Sequence, residues 1–495
     1  MGFRSQGTKR ILTLSGLRAF LCTMLLVAAA PALTPAALAG TVRVGSDNDL
    51  AAAFRAARPG DVITLQPGTY SVRKLKTETA GTESDRIVVR AETLGTVRID
   101  GGGEAILIRH PYWTFENLEI RGACDKDDWC EHAFHIVGNA SHTIIRNNIV
   151  REYNAMIKGN GLPDKKNGGM PYFPTDVVIE KNYLYNSSIR DTDNPVTPID
   201  VMGGERWVVR DNFIADFAKS RGSGASYAAF LKGNSRDGVF ERNLVVCEWR
   251  HAGGVRLGLS FGGGGTSLGS KTCVNQDCSV WHTNGIMRNN IVLNCPNDVG
   301  IYLSKASGAK VFNNTVYNAN GIDVRFPQSS ADIRNNLIAG AVRTRDQGTA
   351  RTSTNVMTGS DFAAYWPALG RYMKKRLEGQ DVKYPTIFAK ADVDWAQSVV
   401  DDVIGYLEQS PIGNGSGKID RLLEDPEALN FNLVDDDAIL DDGQELNDVQ
   451  DDFCERPRGA TPYDVGAIEY SAGPCDVKAR FPMLDELPRE ASPTG

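Results

Sequence analysis

A short phrase built around asparagine recurs along the chain, and it constrains the fold more than any other feature. Each copy is a run rich in β-branched or aromatic residues with an Asn inside, as in Ile144–Val150 (IIRNNIV) and Phe240–Val246 (FERNLVV). Eight copies centre on Asn117, Asn148, Asn182, Asn212, Asn243, Asn290, Asn314 and Asn336. The last two spacings are 24 and 22 residues. A period near 22 residues, made of several short strands, is typical of a parallel β-helix, and the longer intervals then contain loops.

These asparagines predict a structural ladder rather than a catalytic site. An Asn at the same place in each coil can hydrogen-bond the Asn of the next coil and the backbone of a tight turn. A leucine-rich solenoid is the alternative, but the chain lacks that Leu pattern. We therefore expect an all-β solenoid, a parallel β-helix, over residues 40–345.

The segment before the first repeat predicts a cap on the open end of the coil. Asn48–Ala57 has the pattern of a short amphipathic helix. Strands are expected at Asp61–Leu65, Arg86–Ala91 and Val97–Asp100. A helix at the end of stacked strands protects an edge that would otherwise pair with other chains.

Beyond the repeat the chain changes character. Residues 346–425 contain helical patterns and are expected to form a partly helical insertion or extension. Residues 426–475 are expected to complete the β-helix, with a final strand at Asp464–Tyr470. Residues 476–495 are rich in proline and charge, and we expect a loose tail there.

Residues 1–39 have the pattern of a removable export signal. A basic start precedes the apolar stretch Ala19–Leu33, and Ala37–Ala39 forms a small-x-small cleavage site. The apolar stretch is too short for a membrane anchor, and no other segment could span a bilayer. We expect a secreted or periplasmic protein that acts as a monomer.

The cysteines and the charge support that location and restrict the partners. Eight of the nine cysteines follow residue 39, and an even count in an exported chain predicts disulfides. The close pairs are Cys124/Cys130, Cys273/Cys278 and Cys454/Cys475, which leaves Cys247/Cys295. Without residues 1–39 the net charge is −11, which argues against nucleic-acid binding. An anionic substrate would need a local basic groove.

Alignment of the coils on their asparagines places polar side chains in one outward column. His135, Asp200, Arg256 and Tyr302 are expected to share this column, with Lys232 one step along. Residues Ile136, Val201, Leu231, Leu257 and Leu303 are expected to point inward. Lys158, Asp200 and Arg221 are candidate substrate-binding residues. His251, on a preceding loop, is an alternative base.

This set of side chains suits elimination chemistry on a polymer of uronic acids. β-Elimination removes the proton next to a carboxylate, so a cation must neutralise that carboxylate while a base takes the proton. Lys232 and Arg256 fit as base and neutralising group, in either assignment. Tyr302 and His135 fit as the acid or as orienting groups. The ordinary alternative is that these are solvated side chains on a strand face.

Several motifs resemble those of secreted right-handed parallel β-helix proteins. They are Pro59–Leu65 (PGDVITL), Pro67–Tyr70 (PGTY), Arg86–Ala91 (RIVVRA), Trp113–Leu118 (WTFENL) and the closing Asp464–Tyr470 (DVGAIEY). The chain is especially similar to the chondroitinase B/alginate lyase type of polysaccharide lyase. The resemblance covers most of residues 42–340 and the end of the chain, and it is more specific for fold than for activity.

The resemblance implies an exported lyase that cleaves an acidic, uronic acid-containing polysaccharide. In that family a Lys and an Arg on successive coils act beside a calcium ion, and Lys232 and Arg256 match this pair by position. Ca²⁺ is therefore the implied cofactor, with Asp200, Asp191 and Asp193 as the nearest ligands, although no acidic cluster directly precedes Lys232. The alternatives are a uronate epimerase, a glycoside hydrolase on the same fold, or a non-catalytic carbohydrate-binding or surface-structural β-helix.

Overall fold

Three long parallel sheets wind around one apolar core, so the chain forms a parallel β-helix, as the Asn repeat predicts. The computed structural model describes residues 40–163, 171–222, 225–266, 272–273, 278–357, 419–458 and 462–488. Each turn of the coil contributes one strand to each sheet, and every strand pairs in parallel with the strand one coil away. The predicted signal at residues 1–39 lies outside the described residues.

Among the described residues, the strands fall into three long sheets and three small ones. The first sheet contains Thr41–Val44, Val62–Leu65, Ile87–Ala91, Trp113–Glu116, Ile144–Arg146, Val178–Glu180, Val208–Arg210, Val239–Glu241, Ile286–Arg288, Ala309–Phe312, Ser330–Arg334 and Thr349–Ser353. The second sheet contains Gly68–Val72, Val97–Gly101, Glu119–Gly122, Ile149–Arg151, Tyr183–Tyr185, Phe213–Ala215, Leu244–Val246, Ile291–Cys295, Thr315–Ala319, Leu337–Ile338 and Val356–Met357. The third sheet contains Leu75–Lys76, Glu104–Ile108, His132–Val137, Ala155–Asn160, Ile199–Met202, Ala225–Lys232, Val255–Phe261, Ile301–Ser304, Ile322–Arg325 and Val342–Arg345. The small sheets are Leu162–Pro163 with Pro171–Tyr172, Ser235–Arg236 with His282–Thr283 and Ala306–Ser307, and Leu423–Asp425 with Asn430–Leu433.

The Asn ladder lies at the bend between the first and second sheets. Its members are Asn148, Asn182, Asn212, Asn243, Asn290, Asn314, Asn336 and Asn355. Each side-chain oxygen accepts bonds from the backbone N–H and the amide of the preceding Asn. Asn117 is offset by one residue: Leu118 occupies the ladder position, and Asn117 takes a left-handed φ of 60°. The ladder therefore satisfies polar groups that the tight bend would leave unpaired inside the protein.

The predicted cap is confirmed. The helix Asp47–Ala56 begins after Ser46, whose hydroxyl accepts a hydrogen bond from Asp49 N–H. Its buried face contributes Leu50, Ala53 and Phe54 to the main core. The Phe54 ring lies 5.4 Å from that of Trp113, so the helix closes the apolar end of the coil.

The C-terminal region differs from the expectation. The coil continues through Val356–Met357, past residue 345, and residues 358–418, where the helical patterns lie, fall outside the described residues. Asp464–Tyr470 forms no strand; instead, this segment packs against the second sheet, where Ala467 N–H donates to Thr315 Oγ1 at 3.0 Å. Residues 426–475 thus cover the coil rather than extend it.

Residues 476–488 also pack rather than forming a loose tail, and the rest of the predicted tail, residues 489–495, lies outside the described residues. A short helix at Val477–Arg480 is followed by the buried side chains of Phe481, Leu484 and Leu487. These join an apolar cluster with the outer face of the second sheet, which includes Phe213 and Leu244. This sheet needs such a cover because its outward side chains are largely apolar. Short 3₁₀ turns lie at Asp127–Trp129 and Pro426–Ala428.

All four predicted disulfide pairs are present. Cys124–Cys130, Cys247–Cys295, Cys273–Cys278 and Cys454–Cys475 are bonded. Disulfides are typical of proteins that work outside the cytoplasm. In the described part of the chain, no helix is both long and apolar enough to cross a membrane.

Candidate active site

The outward face of the third sheet carries a row of mostly polar side chains, interrupted by Phe230. Backbone register aligns His135 with Lys158, Lys158 with Asp200, and Asp200 with Phe230. The row continues through Ser260 to Tyr302. His135, Asp200 and Tyr302 therefore share one column, as the Asn alignment predicts, and Lys158 joins them.

Lys158, Asp200 and Lys232 form a charged group on this face, and we call them the lysine cluster. Lys158 Nζ lies 2.7 Å from Asp200 Oδ1. Lys232 is on the next coil, aligned with Met202, and its ammonium lies 4.2 Å from the centre of the Phe230 ring. One side of this cluster is an ion pair, and the other is a lysine packed against an aromatic ring.

The environment of the lysine cluster moves the protonation equilibria of its members. Burial lowers the pKa of Lys232; the Asp200 carboxylate opposes this, and the Lys158 ammonium adds to it. Burial alone would raise the pKa of Asp200, but Lys158 and Lys232 hold that pKa below its usual value. Asp200 therefore remains a carboxylate, and Lys232 loses its proton more easily than an ordinary lysine.

A second polar group lies on the two coils before Lys158. His135 Nδ1 lies 2.5 Å from Glu104 Oε1, and His135 Nε2 lies 2.9 Å from Asn160 Oδ1. Glu104 also pairs with Lys74. The ring of His132 contacts that of His135 edge-on, at 4.9 Å between centres. Burial, with His135 and Lys158 nearby, lowers the pKa of His132 to about 4, so His132 is neutral at neutral pH.

Arg256 does not belong to this face. It aligns with Ser226, four residues before Ser260, and its side chain is 1% exposed. Its guanidinium donates to Gly253 O at 2.9 Å and lies 3.0 Å from His251 Nδ1 and 3.5 Å from Asp216 Oδ1. Arg256 is on the coil next to that of Lys232, as predicted, but its predicted place in the outward column is wrong, and its contacts are those of a structural residue.

His251 belongs with Arg256 and not with the lysine cluster. Its Nε2 lies 3.3 Å from Asn186 O, and burial lowers its pKa. Both ring nitrogens are thus engaged by Arg256 and a backbone carbonyl. This placement gives His251 no route to a substrate over Lys232.

Replacing Arg256 with Ala is expected to reduce the free energy of unfolding by about 2–3 kcal/mol. Loss of one partner from a buried ion pair typically costs about 3–5 kcal/mol. The cost is smaller here because Asp216 keeps hydrogen bonds from the N–H groups of Trp249 and Arg250. Urea unfolding measures the change. A specific loss of turnover with unchanged stability would instead place Arg256 in catalysis.

Tyr302 occupies its predicted column but is closed off from solvent. The side chain is 5% exposed, and burial raises the pKa of its hydroxyl. It shares hydrogen bonds with Ser304 and Arg325. Its ring lies 6.3 Å from that of Tyr227. These contacts make Tyr302 part of a packed aromatic and charged layer.

The three carboxylates expected to hold calcium do not meet. Asp200 pairs with Lys158, whereas Asp191 and Asp193 surround Arg221, at 3.0 and 3.7 Å from guanidinium nitrogens. Arg221 also pairs with Asp128 at 2.6 Å, so it too lies apart from the lysine cluster as an exposed ion-pair centre. Calcium prefers several oxygen ligands around one point. This set of residues does not fit a calcium ion.

Among the described residues, one group of acidic and imidazole side chains does converge. Ligand atoms of Glu104, His132 and His135 all lie within 4.8 Å of one another. Two imidazoles and one carboxylate are not the all-oxygen set that calcium favours. Sequence reasoning missed Glu104, His132 and Asn160. His135 aligns with Leu107 and Lys158, whereas Glu104 aligns with His132 and Asn160 with Val137, so the column of His135 alone does not lead to them.

Comparison with known proteins agrees with this fold and with the sequence resemblance. Residues 44–162 match the Chondroitinase B family model. This segment is chondroitinase B-like. It contains Glu104, His132, His135 and Lys158, and it ends before Asp200 and Lys232. No curated protein sequence is similar enough to this chain to count as a relative.

Solved structures extend the likeness in fold beyond residue 162. The pectate lyase Pel9A matches with a TM-score of 0.50 and 14% identity, over 87% of this chain and 96% of that one. An alginate lyase from Paenibacillus sp. str. FPU-7 matches with a TM-score of 0.39 and 17% identity, over 64% and 95%. At such identities the likeness to Pel9A shows the parallel β-helix fold alone.

Proposed function

We propose that this protein is an exported polysaccharide lyase that cleaves a uronic acid-containing polymer by β-elimination. The observation that carries the proposal is Lys232, a half-buried lysine with a lowered pKa beside the Lys158–Asp200 ion pair. A lysine whose neutral form is accessible can act as a base, and a second cation beside it suits an anionic substrate. The chondroitinase B match supports the same reaction class.

Lys232 is the proposed base. Its neutral amine takes the proton from the carbon next to the uronate carboxylate, and the electron pair of that C–H bond forms the new C4=C5 double bond. The C4–O4 bond breaks, and its electron pair stays on the leaving oxygen. The ammonium form of Lys232 then returns the proton to that oxygen, so the base is regenerated. One residue can serve both steps when proton and leaving group lie on the same face of the sugar ring.

Lys158 is the proposed cation for the substrate carboxylate. Proton removal places negative charge on that carboxylate, and a fixed ammonium stabilises it more than water does. Asp200 holds Lys158 Nζ at 2.7 Å and so acts as a positioning residue. His135, fixed between Glu104 and Asn160, supplies a polar wall on the next coil. No step passes through calcium, because the candidate ligands do not assemble a site for it.

The proposal is tested by the ultraviolet absorbance of the unsaturated uronate product. The mature protein is incubated with alginate, pectate, chondroitin and dermatan sulfates, hyaluronan and heparan, with calcium and then with a chelator. We expect absorbance to rise on one polymer and to keep its rate within about twofold after chelation, since Lys158 takes the place of a metal. Loss of the rate with chelator would restore the calcium interpretation.

Other outcomes identify the alternatives. No absorbance on any polymer contradicts the lyase proposal. Solvent hydrogen exchange at C5 without absorbance would indicate an epimerase, and new reducing ends without absorbance would indicate a hydrolase. Binding without any product would leave a carbohydrate-binding β-helix.

A further inference from the structure

The outward face of the third sheet is open on one side of Lys232 and closed on the other. On the N-terminal side Lys158, His135 and Asn160 are partly exposed, and Lys76 is exposed. On the C-terminal side the row is buried, coil after coil, at Phe230, Ser260, Tyr302, Asp323 and Arg343, each 5% exposed or less. Asp200, one coil before Lys232 in the same row, is already 4% exposed, so the row closes between the coil of Lys158 and the coil that carries Lys232.

A glycine-rich segment forms the wall at this boundary. Gly263 lies directly on the Phe230 ring, since a Cβ atom there would come within 2.6 Å of Phe230 Cγ. Its N–H donates to Ser260 Oγ at 3.0 Å, which fixes the segment on the sheet. Gly262 aligns with the column of Lys232 on the next coil, and a Cβ there would meet the Ser304 carbonyl. Only residues without side chains fit this close approach.

The wall continues beside Lys232 itself. Thr272 O accepts a hydrogen bond from Asn234 Nδ2 at 3.3 Å, and Thr272 Oγ1 would lie 3.2 Å from a Cβ on Gly233. Behind it, Lys305 lies 4.7 Å from the centre of the Trp281 ring. A polymer lying along the sheet cannot continue straight past Lys232 toward the C-terminal coils.

We infer that the substrate occupies the N-terminal side of the face and reaches Lys232 with one of its ends, so that the protein removes short products from chain ends. Adjacent coils lie about 4.8 Å apart, which is comparable with the length that one pyranose adds to an extended polysaccharide. Five coils precede that of Lys232 in the third sheet. The open side thus has room for about four or five sugar units, and the closed side for about one. This inference rests on the proposed function.

The experiment compares one polymer, identified by its absorbance, at two mean chain lengths and equal uronate mass. An enzyme that acts at chain ends should double its initial rate when the mean length is halved, and unsaturated mono- or disaccharides should be the first products. Viscosity should fall slowly relative to absorbance. Equal rates at both lengths, with an early fall in viscosity and a spread of large fragments, would overturn the inference and leave the lyase proposal standing. No product on any polymer removes both.

A pair of variants tests which side of Lys232 the polymer covers. Lys76→Gln, on the open side, is expected to raise KM for long chains about threefold and to leave kcat unchanged. Lys305→Gln, on the closed side, is expected to leave both constants unchanged. The opposite pattern would place the polymer over the C-terminal coils and overturn the inference.

Discussion

Lys232→Ala is expected to lower kcat/KM for eliminative cleavage by about 10²–10⁴-fold, the usual contribution of a positioned general base. The variant should fold normally, because Lys232 is half-buried on the outer face and its ammonium packs on the Phe230 ring. The measurement is the initial rate of absorbance increase on the polymer that the native protein cleaves, with the unfolding midpoint as the check on structure.

The controls separate loss of a base from loss of a charge. Lys232→Arg keeps the cation but not the chemistry, since a guanidinium does not give up its proton at working pH, and it should be as inactive as the Ala variant. Lys310→Ala, an exposed lysine on the first sheet that pairs with Asp448, should retain native activity. Activity of Lys232→Arg within tenfold of the native protein would show that Lys232 acts as a cation and that another group is the base.

The pH dependence follows from the direction of the pKa shift. Only the neutral amine of Lys232 accepts a proton, so kcat/KM should rise with pH and level off above the pKa of Lys232. Burial and Lys158 lower that pKa, which moves the rising limb below the range of an ordinary lysine. This rise of kcat/KM with pH should be absent from the residual activity of Lys232→Ala.

The fold was predictable because its signal is local and repeated. Each Asn occurs in a short run whose β-branched residues alternate inward and outward, and the same bend recurs in each coil. The one misplacement, Asn117, has a local cause. Asn117 has a left-handed φ and bonds Ala91 O, so it serves the bend from the neighbouring position. Asn355 also belongs to the ladder, but the sequence repeat did not predict it because it follows the last clear copy.

The site was only partly predictable because glycine has two roles in this coil. Gly203 and Gly233 follow strands and have φ values of +83° and +69°, and in the sequence Gly258 follows Val255–Leu257 in the same way. Gly258 instead lies inside the strand Val255–Phe261, where a Cβ would meet the Gly300 carbonyl. Aligning Gly258 with the strand-ending glycines moved Arg256 by four residues, into the outward column that Ser260 occupies. A sequence pattern does not distinguish a glycine needed for a positive φ at a turn from a glycine needed for close packing inside a strand.

Accessibility was the other property that the sequence did not provide. Tyr302 lies in its predicted column, but its exposure to solvent depends on its packing against Tyr227 and Arg325, which the column alignment does not describe. Asp464–Tyr470 and residues 476–488 likewise have strand-like or tail-like sequences, yet they pack on the second sheet. These contacts join residues far apart in the chain, and no sequence repeat predicts them.

Asn243→Ala is expected to reduce the free energy of unfolding by about 3–5 kcal/mol. Asn243 is fully buried at the centre of the ladder. Its Oδ1 accepts from Asn212 N–H at 3.2 Å and Asn212 Nδ2 at 3.0 Å, while its Nδ2 donates to Val209 O at 2.9 Å. Alanine leaves all three groups without this partner, and each buried unsatisfied group costs about 1–3 kcal/mol. Urea unfolding with the disulfides intact measures the change.

The exposed Asn139, in the turn after the strand His132–Val137, provides the matched control. Asn139→Ala makes the same chemical change outside the ladder, and we expect it to alter the free energy of unfolding by less than about 0.5 kcal/mol. A cost below about 1 kcal/mol for Asn243→Ala would mean that water or a shifted backbone replaces the lost bonds. The ladder would then mark the bend without stabilising it, and apolar burial in the core would hold the coils together. A cost in the expected range makes the asparagine repeat, the feature that reveals the fold in the sequence, also a physical cause of its stability.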